Sequence, residues 1–236
     1  MRRRRLLQAV LLTTLAGGCS VPASQPPRSD LPPAGAETAG PAYPPIGARW
    51  RVRVTEAGLL HGTVDDRDIT ATAVDFNGRR GYGLAGPATM WVLDPATFNP
   101  IGEVVNGGVA IRDTPDMGIF SWPLWVGKSW RGGNGHADLS RGMTWVPAQS
   151  EAHVVALENV TVPAGTFRAF RIEYQGGIGS SSSGGRHNEG GPGFETRATY
   201  WYAPAPKLIM KSEVIRLGTN YLGGARTTTE LLTSPR

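Results

Sequence analysis

The 236-residue sequence predicts an all-β protein, a single antiparallel sheet curled into a barrel or half-barrel. Three observations predict it. Apolar and polar residues alternate with a period of two over several stretches, as strands buried on one face require. Turn signals recur at intervals that leave no room for long helices, in a chain with 32 Gly and 19 Pro. No stretch reads as a helix, so about nine to eleven strands replace the roughly one-third helix of an average soluble domain.

The N-terminus reads as an address. Arg2, Arg3, Arg4 and Arg5 precede an apolar run over residues 6–15, far short of the roughly 20 residues that span a bilayer. Residues 1–18 fit a signal peptide. Without those four arginines, 20 basic residues face 19 acidic ones, a net of +1, and the case for a nucleic-acid partner falls away. Cys19 is the one cysteine, which rules out an internal disulfide or a cysteine-rich metal site. It follows Leu15-Ala16-Gly17-Gly18, which resembles the bacterial lipobox, with Ala16 at the usual leucine position. The resemblance implies cleavage ahead of Cys19 and acylation of its thiol. Ser20, with no aspartate at that position, resembles lipoproteins sent on to the outer membrane. Residues 19–45, rich in Pro, Ala, Ser and Gly, read as the lipidated cysteine and a disordered tether. The antiparallel β domain is then expected over 46–234.

Within that domain, residues 49–56 alternate, with Trp50, Val52 and Val54 inward. A second alternation over 69–76 ends at Asn77-Gly78, a hairpin turn signal. Met90-Trp91-Val92-Leu93 forms a strand that Pro95 stops, and Asn106-Gly107-Gly108 joins another pair. Trp122, Trp125 and Trp130 concentrate in residues 120–130, where they fill a core or gather at a sheet edge. Residues 142–158 are strand-like. Residues 167–174 place Phe170, Ile172 and Tyr174 on one face and Arg171 and Glu173 on the other. The run 175–195, with eight Gly and Ser180 to Ser183, reads as a long hairpin loop. Strands resume over 198–202, 207–217 and 221–232.

Motifs for chemistry are weak. Gly81-Tyr82-Gly83-Leu84-Ala85-Gly86 has the letters of a dinucleotide fingerprint, but Pro87 follows and no helix can open there, so the glycines read as a turn or bulge. His61, His136, His153 and His187 lack metal-ligand spacing, and Asp65, Asp66 and Asp68 lack the glycine and closing glutamate of a calcium loop. No Gly-x-Ser-x-Gly occurs. His187 and Glu189 lie near the serines of the long loop, with nothing to orient them. Asn159-Val160-Thr161 matches a glycosylation acceptor by coincidence. No cofactor and no metal are expected.

Pro163-Ala164-Gly165-Thr166-Phe167, together with Tyr200-Trp201-Tyr202-Ala203-Pro204 and the lysines Lys207 and Lys211, resembles the DUF3108 and DUF3108-like group of exported bacterial proteins. The segment Pro123 to Trp130 is similar to the group as well, so the resemblance covers about residues 120–217. It implies an antiparallel sheet wrapped like the half-barrels of lipid carriers, and no catalytic residues. The leading expectation is a non-enzymatic envelope lipoprotein, at the outer membrane and facing the periplasm, that holds a lipid or other amphiphile in the concave face of its sheet. Trp125, Phe170, Tyr200, Trp201 and Tyr202 are the candidate ligand contacts, and Cys19 the lipidation site. Second comes a scaffold for other envelope proteins, working through sheet edges or the tryptophan-rich segment; third, a hydrolase. Expected partners are the membrane, through the anchor, and a lipid or an envelope protein.

Overall fold

A computed structural model describes residues 31–58, 62–178, 194–218 and 221–236. The signal peptide, Cys19, His61, His187, Glu189 and Ser180 to Ser183 lie outside the described residues. The folded unit runs from Pro32 to Arg236.

Twelve strands follow one another around a closed barrel: β1 (Arg49–Ala57), β2 (Gly62–Phe76), β3 (Arg79–Ala85), β4 (Thr89–Leu93), β5 (Pro100–Val105), β6 (Gly108–Thr114), β7 (Ser129–Asp138), β8 (Met143–Val162), β9 (Gly165–Ile178), β10 (Phe194–Ala203), β11 (Leu208–Gly218) and β12 (Tyr221–Thr233). Every pairing is antiparallel, and β1 closes the ring against β12 with Val52 opposite Leu231. Of the expected barrel or half-barrel the sheet forms the barrel, although residues 62–69 of β2 extend past the end of β3 and keep one side without a strand partner.

The local reasons follow from the residues. Asn77-Gly78 and Asn106-Gly107 take φ of 53° and 75°, and of 50° and 82°, the two consecutive positive values that a tight hairpin turn requires. Trp50, Val52 and Val54 point inward from β1 as their alternation predicts. The strand expected at Met90 to Leu93 is β4, whereas Gly81 to Ala85, read as part of a turn or bulge, lie in β3, their glycines giving room to Val92, Thr72 and Met90 of the neighbouring strands. Strand β7 escapes the alternation rule because Gly132, Gly133 and Gly135 show no side chain to alternate.

In such a meander all odd-to-even turns lie at one end and all even-to-odd turns at the other. The end that holds the start of β1 is sealed twice. Residues 115–128, between β6 and β7, bring Ile119, Phe120, Leu124 and Trp125 into the core. Asn99 pins this plug, donating to the Phe120 carbonyl at 3.0 Å and accepting from its amide at 2.7 Å. Phe120, Trp122 and Tyr202 pack ring against ring, with centroids 4.9 to 5.8 Å apart.

Residues 32–48 form the second seal, correcting the expectation of a disordered tether up to residue 45. Ala39 pairs with Leu124 through two backbone hydrogen bonds of 3.0 and 2.8 Å. Tyr43 stacks on Phe98 at 4.7 Å, and the phenol of Tyr202 donates to the Ala42 carbonyl at 2.8 Å. Poor aliphatic content hid this order, which rests on one half-buried tyrosine, Tyr43, and on carbonyls that accept from barrel phenols. Ile46, where the domain was expected to begin, is 55% exposed.

Candidate ligand-binding site

Inside the barrel the character of the lining changes along the axis. Toward the sealed end, Phe170, Ile172, Tyr202, Met210 and Leu231 are fully buried in the two main core clusters. Toward the other end, the inward positions Leu84, Trp91, Ile111, Thr196, Val214 and Arg216 are only half-buried. Strands β3 to β6 have 5 to 7 residues and β8 to β12 have 10 to 20, so this end has a low wall and a high one. The result is a cup with a packed floor.

Register fixes which charges point into it. Glu103 on β5 sits opposite Trp91, which sits opposite Leu84, a residue packed on the interior core. Arg216 on β11 sits opposite Thr196, which pairs with Gly176, two residues from the buried Tyr174. Around the ring, β5 and β11 are six places apart among twelve, so the two side chains rise from facing walls. Burial raises the Glu103 carboxyl above its usual range; the Arg216 charge works against that rise and Asp138 adds to it.

Between those walls lies a polar cluster on β6 and β7. The Oδ1 atom of Asp113 accepts from Asn134 Nδ2 at 2.7 Å and holds His136 Nδ1 at 2.8 Å. Asp113 is 2% exposed, and its Oδ2 has no hydrogen-bond partner among the described residues. Tyr174 is pushed up to about 12, chiefly by burial, with the Ser150 hydroxyl opposing the shift and Asp113 adding to it. Asp138 caps the single turn of 3-10 helix at Leu139–Arg141. Burial opposes its ionisation, yet bonds from Ser140 and Arg141 outweigh it and hold the carboxyl below its usual range. Ser150 pairs with Gly132 and His136 with Val146, four residues apart along β7, or about 13 Å. Hydroxyl and imidazole therefore do not form a nucleophile relay.

The sequence candidates do not converge on this cup. Phe170, Tyr200 and Tyr202 belong to the packed core beneath it. Trp125 is in the plug, with the Lys128 ammonium 4.5 Å from its ring. Trp201 faces outward, donating to Glu158 at 2.8 Å with Lys211 5.2 Å from the ring centre. Glu103, Asp113, His136 and Arg216 went unrecognised; the available signal was a charge at an inward position of an alternating strand. A groove of about 870 Å³ crosses the outer face of β7 to β12, but its charges pair across strands, Arg131 with Glu151 at 3.3 Å and His153 with Glu173 at 3.4 Å.

Fold and site together define a closed, twelve-stranded up-and-down barrel with one end sealed by residues 32–48 and 115–128 and with charged side chains lining the interior toward the other. No family model matches the chain, so its likeness to the DUF3108 group rests on the motif residues alone. No curated protein matches it in sequence. Solved structures similar to it include a "putative lipoprotein" of Parabacteroides distasonis, 11% identical, with a TM-score of 0.44 over 84% of this chain and 99% of that one. Another is a "putative exported protein with YmcC-like fold" of Bacteroides fragilis, 14% identical, with a TM-score of 0.36 over the same shares.

Proposed function

We propose that this chain is an envelope lipoprotein, anchored through Cys19 at the outer membrane, whose barrel binds a small amphiphile in the half of its interior away from the plug. The observation that carries the reading is the change of lining within one barrel, from a packed aromatic floor to half-buried apolar and charged walls. A lining of that kind suits a ligand with an apolar part and a polar head. The filled floor restricts the ligand to the cup, so a long acyl chain does not run the length of the barrel. Assembly through a sheet edge is the second reading, and the edge available to it is the β3-facing side of residues 62–69 in β2, where β3 pairs only with Thr70 to Phe76.

Native mass spectrometry of gently purified protein tests the reading. The expected result is a co-purifying amphiphile, or saturable binding of an added one, that competes with a second amphiphile. Protein that arrives empty and takes up no amphiphile at millimolar concentration overturns it.

A further inference from the structure

Glu103 and Arg216 stand on facing walls of the cup, and neither has an ion-pair partner among the described residues. They are close enough for the arginine to act on the carboxyl, yet they form no direct salt bridge. Of the other charges at inward positions, Asp138 pairs with Arg141 at 2.6 Å, Arg67 with Asp65 at 2.8 Å, and Asp113 is held by Asn134 and His136, while Glu56 stands on the β1 wall opposite Thr63 and Thr227. Half-buried apolar side chains, Trp91, Ile111 and Val214, share the same lining. Charges held in such surroundings lose part of their hydration, which a ligand's head can replace.

We propose that Glu103 and Arg216 set the specificity of the cup for a zwitterionic head, the arginine taking its anionic group and the glutamate its cationic group. This rests on the amphiphile reading above. A purely anionic head would satisfy Arg216 and face Glu103 with a like charge; a purely cationic head would do the reverse. A head carrying both signs satisfies both walls and leaves neither charge uncompensated.

Three probes with one twelve-carbon tail test this: dodecylphosphocholine, dodecyl sulfate and dodecyltrimethylammonium, each below its micelle concentration, by isothermal calorimetry on the soluble Cys19→Ala chain. The zwitterion is expected to bind about tenfold tighter than either single charge. Glu103→Gln should remove the discrimination against dodecyl sulfate, and Arg216→Gln the discrimination against dodecyltrimethylammonium. Arg216→Lys, which keeps the charge, should keep the preference, and circular dichroism checks each variant's fold. Equal binding of all three probes, or a preference that survives Glu103→Gln, overturns the inference while leaving the amphiphile reading in place. Binding of none of them overturns both.

Discussion

The phenol of Tyr82 donates a 2.7 Å hydrogen bond to the carbonyl of Pro44, fastening the segment before β1 to β3 across 38 residues of sequence. That carbonyl belongs to a buried residue and Tyr82 supplies its donor. Tyr82→Phe keeps the ring against Tyr43 and Phe98 but leaves the carbonyl unsatisfied. The expected loss is about 1–3 kcal/mol. Urea unfolding should show a lower midpoint with an unchanged slope; an unchanged midpoint would mean that the segment adds nothing to stability.

Two glycines should behave differently. A methyl group on Gly102 would meet the Phe76 ring and the Ile111 carbonyl, both held in place, with Phe76 4% exposed. Gly102→Ala is expected to destabilise by about 1–3 kcal/mol. A methyl group on Gly135 would meet the Trp145 indole, which is 63% exposed and free to swing aside. Gly135→Ala should therefore stay within about 0.5 kcal/mol of the parent. Thermal melts of the pair decide it, and equal losses would refute the contrast.

Alkaline titration offers a third check. Burial holds the phenols of Tyr82, Tyr174 and Tyr202 up at about 12, and shifts Tyr43 and Tyr200 in the same direction. The folded state thus favours the neutral phenol more than the unfolded chain does, where tyrosine ionises near 10. Stability from this source is fully present below about pH 10 and is lost as pH rises toward about 12. Absorbance at 295 nm should show the phenolates of these five, out of six tyrosines, only as the fold melts. Several phenols ionising at about pH 10 with circular dichroism unchanged would contradict the burial.

The anchor has its own test. On the proposed lipidation of Cys19, the one cysteine of the sequence, Cys19→Ala should abolish acyl mass on the mature chain and move it from the membrane to the soluble fraction. A variant that stays on the membrane with its mass otherwise unchanged would rule out lipidation at this residue.

How much of this was legible depends on how local the cause is. The inward set Trp50, Val52 and Val54 and the two Asn-Gly turns are written in a few adjacent residues, and the structure follows them. Strand β7 is different, because its glycines erase the period that would reveal it. The closure of β1 on β12 involves residues 182 positions apart, as in the bond from the Arg51 amide to the Thr233 hydroxyl, and no neighbouring residue announces it. The cup was missed for a related reason. Aromatic rings such as Tyr200 and Tyr202 drew attention as ligand contacts, yet rings of that size are what a floor is made of. Glu103 and Arg216 look like ordinary surface charges until the register turns them inward.

Arg49 and Arg236 exchange two backbone hydrogen bonds of 3.0 Å, alongside the pairing of β1 with β12. The chain is made in the opposite order to the one its seam needs. The first strand to emerge must wait, with one side bare, until β12 has been synthesised before its second neighbour exists. Strand β12 is therefore the closing stave, and losing its second half would strip the oldest strand of the partners that run from Thr227 to Thr233.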